Sequence, residues 1–103
     1  MDFHKCGTPT YIAPEILRNE GVTLKSDIFS LGSIMYNLLT GRYLFNSGST
    51  RNLINLNREC DLDHIRQHLL SVSSLAKDLL YHLLETNPIK RYSAKQALEH
   101  KWF

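Results

Sequence analysis

The stretch from Asp27 to Thr40 constrains the fold of this chain more than any other part of the sequence. Apolar side chains lie around most of the circumference of a helix drawn over these residues. They are Ile28, Phe29, Leu31, Ile34, Met35, Tyr36, Leu38 and Leu39. Such a helix is buried on nearly all sides, and this one is shorter than the ~20 residues that cross a bilayer. With Ser26 as its N-cap and Gly41 as its stop, it is predicted to be the central helix of the fold.

The residues on either side of this helix also favour helices and loops. One glycine and two prolines, Gly7, Pro9 and Pro14, predict an extended, turning segment over residues 1–15. A short helical turn from Glu15 to Arg18 is expected to follow it. Beyond Gly41, Thr50 is predicted to cap a short helix. Its apolar residues are Leu53, Ile54 and Leu56. Residues 58–72 are expected to form a loop that holds one turn of helix around Ile65 to Leu69.

Two more helices are indicated in the last third of the chain. Ser73 or Ser74 is expected to cap the first, which Asn87-Pro88 ends. Ser93 and Gln96 have the spacing of a capping box and open the second. No segment has the period-two alternation of a half-buried strand, so the predicted fold class is all-α.

Composition sets limits on what the chain binds. With 103 residues, it has room for one small domain or for part of a larger one. Its net charge of +2 is spread along the sequence, which does not indicate a nucleic acid or an acidic membrane as partner. Isolated cysteines at Cys6 and Cys60 are typical of an intracellular, cytoplasmic protein, and no signal peptide or membrane span is indicated.

Metal binding is not predicted from the residue types present. His64 and His68 have i, i+4 spacing, but no Glu follows His64 and no third ligand is indicated. Asp61 and Asp63 lack the glycine and the terminal glutamate of a calcium loop. We therefore expect the two histidines to be a partly exposed pair on one side of the chain.

Four motifs, in order, resemble those of one family. Gly7-Thr8-Pro9-Thr10-Tyr11-Ile12-Ala13-Pro14-Glu15 is similar to the end of the activation segment of Ser/Thr protein kinases. Asp27-Ile28-Phe29-Ser30-Leu31-Gly32, Asn87-Pro88-x-x-Arg91 and His100-Lys101-Trp102-Phe103 match later motifs of that family. The resemblance implies that residues 1–103 are one partial kinase domain, truncated on its N-terminal side. It would hold helices αEF, αF, αG, αH and αI of the helical C-lobe, without the N-lobe sheet.

The resemblance also implies roles for individual residues. Glu15 would form a buried, structural ion pair with Arg91 and so tie the activation segment to the loop between the last two helices. Asp27 matches the carboxylate that anchors the catalytic loop in intact kinases. Without that loop, Asp27 would only stabilise the first turn of its own helix, through the N–H groups and the helix dipole there.

The segment before Glu15 is implied to dock protein substrates. Thr8 matches the threonine of Ser/Thr-specific members, and Pro9, Tyr11 and Ile12 would support the shelf for the residue that follows the phosphoacceptor. Protein substrates or docking partners are therefore expected. No catalytic residue and no metal ligand is assigned within this sequence.

Phosphoryl transfer needs motifs that are missing from the sequence. Gly-x-Gly-x-x-Gly, His-Arg-Asp and Asp-Phe-Gly do not occur in it, although the intact family domain uses ATP and Mg²⁺. We therefore expect this chain alone to bind neither and to be inactive. A non-catalytic protein-interaction module is the alternative. Because the resemblance implies that upstream helices cover the central helix, we also expect apolar surface to be exposed from Ile28 to Leu39.

Overall fold

The structure is a computed structural model that describes residues 11–103. Within that range the fold is all-α, as predicted, and consists of five α-helices and one 3₁₀ helix. They are α1 (Pro14–Leu17), α2 (Leu24–Thr40), α3 (Thr50–Glu59), the 3₁₀ helix (Asp63–His68), α4 (Ser74–Leu83) and α5 (Ala94–Leu98).

The N-terminus of α2 lies earlier in the chain than predicted. Thr23 is the N-cap, and its hydroxyl accepts a hydrogen bond from the Lys25 N–H at 3.1 Å. Ser26, the predicted N-cap, completes a capping box by accepting from the Thr23 N–H at 3.2 Å. The prediction of Ser26 was wrong because two hydroxyl residues three apart can both satisfy helix-terminal N–H groups. Gly41 ends the helix as predicted, in the left-handed region with φ of 71°.

The central helix α2 is covered on one side only. Ile28, Phe29 and Tyr36 are buried, and α4 packs against the helix along this side. The contact is close at Gly32, where an added Cβ would lie 2.8 Å from the Leu83 Cβ. The prediction that α2 is buried on nearly all sides was therefore wrong for the part of the chain that is described.

The opposite side of α2 forms an apolar face open to solvent. It consists of Leu31, Ile34, Leu38 and Leu39, and Leu38 is 80% exposed. The expectation of exposed apolar surface is confirmed for these four residues. It was wrong for Ile28, Phe29 and Tyr36, which are buried. Ile28 packs against α4 and α5 with Leu79, Leu83 and Ala97, and the other two side chains lie in the main core.

Of the three remaining predicted N-caps, two are confirmed and one is wrong. Ser49, not Thr50, is the N-cap of α3, and its hydroxyl accepts from the Asn52 N–H at 3.3 Å. Ser73 caps α4 and Ser93 opens α5 with a capping box, as predicted. Helix α4 ends at Leu83, which is before the predicted stop at Asn87-Pro88.

The main core lies where α1, α2 and the segments after α2 meet. Side chains from α1 and from the residue pair before it pack against Phe29 and Tyr36 of α2. Leu44, Ile65 and Leu80 close the cluster from the later part of the chain. None of the described helices is long and apolar enough to span a membrane.

Candidate functional site

The structure brings Glu15 and Arg91 together in a buried, bidentate ion pair, which we call the clamp. The two terminal nitrogens of Arg91 donate to the two carboxylate oxygens of Glu15, at 2.7 Å to Oε2 and 2.8 Å to Oε1. Glu15 is 2% exposed and Arg91 is 1% exposed. Because Glu15 lies in α1 and Arg91 precedes α5, the pair joins two segments that are distant in sequence.

The guanidinium of Arg91 uses all of its five N–H donors. Besides the two bonds to Glu15, it donates from Nε to the carbonyl of Glu85 and from one terminal nitrogen to that of Lys25, both at 2.7 Å. The other terminal nitrogen donates to the Thr86 carbonyl at 3.3 Å. The ring of Phe29 lies against the guanidinium, with its centroid 5.1 Å from Cζ. A lysine at this position could reproduce neither the planar fork nor the number of donors.

Residues at the start of α2 complete the clamp. The Ser26 hydroxyl donates to Oε2 of Glu15 at 2.8 Å, while it accepts the capping bond from the Thr23 N–H. The ammonium of Lys25 donates to the carbonyls of Pro88 and Arg91. Sequence reasoning missed these contributors, since Ser26 was interpreted as a cap only and the role of Lys25 depends on the path of a loop.

Opposing effects act on the charge of Glu15. Burial raises the pKa of the carboxyl, but hydrogen bonds from Arg91, the backbone and Ser26, with the charge of Arg91, outweigh it. The net pKa of Glu15 is below its ordinary value of 4.5, so the carboxylate is ionised at neutral pH. The clamp is therefore a true ion pair.

The predicted docking segment is described only in part. Thr8 and Pro9 lie outside the described residues. The backbone carbonyl of Tyr11 accepts a hydrogen bond from the Ser30 hydroxyl at 2.6 Å, and its ring lies 6.1 Å from that of Tyr43. Ile12 is 1% exposed and packs in the main core, so its side chain supports the segment from beneath.

The predicted anchor Asp27 stands apart from the clamp. It lies in the first turn of α2, on the same helix as Ser26, but its side chain is exposed. This position lets its charge favour the N-terminal end of the helix dipole. Its role as an anchor for a catalytic loop remains a prediction.

The histidine pair His64 and His68 is engaged in structural hydrogen bonds. Nε2 of His64 bonds to the Leu44 carbonyl, and Nδ1 of His68 lies 3.0 Å from the Tyr36 hydroxyl. Desolvation and the charges of Arg42 and His64 lower the pKa of His68, and burial raises that of Tyr36. The neutral imidazole of His68 can thus accept a hydrogen bond from the Tyr36 hydroxyl.

Side chains that commonly bind metals are not clustered in the described part of the chain. Among residues 11–103, no three His, Cys, Asp or Glu side chains lie close enough together to hold a metal ion. A nucleotide-bound Mg²⁺ is held in kinases by Asp and Asn side chains that act together. We derive no step through Mg²⁺ or ATP for these residues.

Comparisons with known proteins give a consistent result. The family model described as protein kinase domain matches residues 3–103. Serine/threonine-protein kinase DCLK3 of Mus musculus is 41% identical over 102 residues, which are 97% of this chain and 13% of that protein. Serine/threonine-protein kinase atg1 of Dictyostelium discoideum is 40% identical over 98 residues, which are 94% of this chain and 14% of that protein.

A solved structure has the same fold as this chain. The twitchin kinase region from C. elegans superposes with a TM-score of 0.85 and 30% identity, over 93% of this chain and 17% of that one. The chain thus spans less than a fifth of the length of each of these three proteins.

Proposed function

Because the chain belongs to the protein kinase domain family, we propose that it is part of a protein serine/threonine kinase, which phosphorylates Ser and Thr side chains of proteins with ATP. Within such an enzyme these residues would form part of the helical lobe. The observation that carries the proposal is the clamp, which ties the Ala13-Pro14-Glu15 signature to the loop before α5.

The role that the clamp supports best is to fix the docking segment for protein substrates. Glu15 is four residues from Tyr11, so little freedom remains for the backbone between the clamp and that residue. Burial of Ile12 and the hydrogen bond from Ser30 to the Tyr11 carbonyl hold the same stretch from two further sides. Immobilising a substrate-binding segment favours the reaction, because the ordering is complete before the substrate arrives.

The same proposal assigns nucleotide binding to a part of the protein outside these 103 residues. The sequence lacks the glycine-rich, His-Arg-Asp and Asp-Phe-Gly motifs, so the chain alone is expected not to bind ATP or transfer phosphate. Reading the gene upstream of Met1 in all frames should reveal coding sequence for the last two motifs. Binding of ATP to the isolated chain at micromolar concentration would contradict this assignment.

A chimeric enzyme tests the proposal directly. Residues 3–103 replace the aligned segment in the kinase domain of mouse DCLK3, to which they are 41% identical. The chimera is incubated with ATP, Mg²⁺ and a mixture of peptides that contain Ser, Thr or Tyr. We expect phosphate on Ser and Thr, because this chain supplies the clamp and the docking segment.

Two matched proteins make the result interpretable. The unaltered kinase domain gives the reference rate, and a domain that ends before the exchanged segment gives the background. A chimera that unfolds cooperatively and binds ATP, yet phosphorylates no faster than the background, would rule out the proposed function. Labelling of Tyr alone would rule out the Ser/Thr assignment.

The exposed apolar face of α2 raises a second candidate function, a non-catalytic interaction module. Leu31, Ile34 and Leu38 offer an apolar surface that a partner protein could cover. This alternative requires that the 103-residue chain be a monomer with cooperative thermal unfolding. The kinase proposal instead predicts self-association of the isolated chain. In a whole catalytic domain other residues would cover this face, and in the isolated chain they do not. Sedimentation velocity and a thermal melt of the isolated chain distinguish the two.

A further inference from the structure

A cluster of ionisable and aromatic side chains joins α4 to the C-terminal residues, well away from the clamp. Nε2 of His100 lies 2.7 Å from Oδ2 of Asp78, and Nε2 of His82 lies 3.6 Å from the same oxygen. The rings of His82 and Tyr92 are stacked, with centroids 4.1 Å apart and 6° between their planes. The side chain of His100 is 7% exposed, whereas that of Asp78 is 58% exposed.

The hydrogen bonds of His100 fix its protonation state. Nδ1 of its ring accepts a hydrogen bond from the backbone N–H of Trp102 at 3.0 Å. Asp78 is an acceptor when it is ionised, so Nε2 must carry the proton that lies between the two side chains. His100 is therefore neutral in this geometry, with its proton on Nε2 and the lone pair of Nδ1 directed at the Trp102 N–H.

The residues that follow this bond border the apolar face of α2, which stays open to solvent. Trp102 and Phe103 line an apolar groove together with Leu31, Ile34 and Leu38 of that helix. The two aromatic rings contact each other edge to face, with centroids 5.2 Å apart. The Phe103 N–H donates to the His100 carbonyl at 3.2 Å, which is the second hydrogen bond of this turn.

We propose that His100 is a pH-sensitive latch that fixes the turn of Trp102 and Phe103 beside the apolar face of α2 and releases this turn in acid. The reason is that a proton on Nδ1 turns the acceptor of the Trp102 N–H into a second donor, so the two cannot coexist. By linkage, a proton that binds only the open form favours that form, so a fall in pH shifts the equilibrium towards it.

The neighbouring charges act on this equilibrium in known directions. Asp78 bonds Nε2 of His100 in the latched form and can keep the ring near α4 after protonation. Nε2 of His82 lies 3.6 Å from the same Asp78 oxygen, so a positive charge on that ring would oppose a positive charge on His100. The ring of Tyr92 lies 6.5 Å from that of His100, and the exposed Glu99 and Lys101 flank the turn with opposite charges. The latch depends on the bond at Nδ1, which only His100 provides.

Trp102 is the only tryptophan in the chain and therefore reports the latch directly. Acrylamide quenching of its fluorescence is measured on the full 103-residue chain between about pH 8 and pH 5, the range in which histidine titrates. The quenching constant should rise roughly twofold as the ring moves from 43% exposure towards full exposure. His100→Gln, which removes the acceptor at Nδ1, should give the higher value at every pH. His82→Gln is the matched control and should retain the pH dependence.

A second measurement on the unaltered chain keeps the proposal testable if a variant fails to fold. Long-range ¹H–¹⁵N correlation spectra distinguish the two ring nitrogens and should show the proton of His100 on Nε2 at about pH 8. A proton on Nδ1 at that pH would overturn the latch. So would a constant quenching value while His100 titrates and far-ultraviolet circular dichroism shows an intact helical fold. Both measurements are made at a protein concentration at which sedimentation velocity shows a monomer, so neither result depends on whether the protein is a kinase.

Discussion

Replacing Arg91 with Ala is expected to remove much of the stability of this fold. The change deletes all five hydrogen bonds of the guanidinium and leaves the Glu15 carboxylate buried, with Ser26 as its remaining side-chain donor. Breaking a buried pair from one side costs about 3–5 kcal/mol. Domains have about 5–15 kcal/mol of unfolding free energy in total, so this single change removes a third or more of it in most cases.

Urea unfolding followed by circular dichroism measures this loss. With a slope of about 1–3 kcal/mol per molar urea, the midpoint should fall by roughly 2 M. Lys90→Ala is the matched control, because the neighbouring side chain is exposed and should change the free energy by no more than about 0.5 kcal/mol.

A double-mutant cycle shows whether the loss comes from the pair itself. Glu15→Ala and Arg91→Ala combined should cost less than the sum of the single changes, since either one already breaks the pair. A cost below about 1 kcal/mol for Arg91→Ala, the value of a surface ion pair, would refute the reasoning. Additive single changes would do the same.

Three further predictions concern acidity, helix packing and the exposed face. Because the pKa of Glu15 is lowered in the folded chain, stability is lost as the pH falls from 4.5 through that pKa, so the urea midpoints of the natural chain and Glu15→Gln should converge in acid. A constant difference would contradict this. Gly32→Ala should cost about 1–3 kcal/mol in urea unfolding, since its Cβ meets the Leu83 Cβ at 2.8 Å; an unchanged midpoint would show that α2 and α4 are farther apart. Leu38→Glu should reduce self-association in sedimentation velocity and change stability by under about 0.5 kcal/mol, and a larger loss would mean that Leu38 is covered.

The sequence predicted the fold where local chemistry decides it. Gly41 marks the end of α2 because a left-handed residue after a helix favours glycine, and Ser93 with Gln96 forms the capping box that its spacing indicates. Thr23 and Thr50 show the limit of this reasoning. Where two hydroxyl residues stand near a helix start, the chain path before the helix decides which one caps it.

The rest depended on contacts between distant residues. The apolar circumference of α2 indicated burial on nearly all sides, yet Leu31 and Leu38 are exposed, because the described residues cover only one side of the helix. The pairing of Glu15 with Arg91 could be predicted from the motifs that resemble those of the family. The contributions of Lys25 and Ser26 were not, because they arise only when the start of α2 meets the loop before α5.

The catalytic efficiency of the chimera with DCLK3 tests the central claim that the clamp fixes the docking segment of a kinase. The measurement compares kcat/KM for a Ser-containing peptide between chimeras that carry Arg91→Ala and Lys90→Ala, at a temperature where circular dichroism shows both folded. We predict a fall of about tenfold or more for Arg91→Ala, since a misplaced segment loses the advantage of preorganisation, and no change for Lys90→Ala. Equal kcat/KM values in the two variants would contradict the claim.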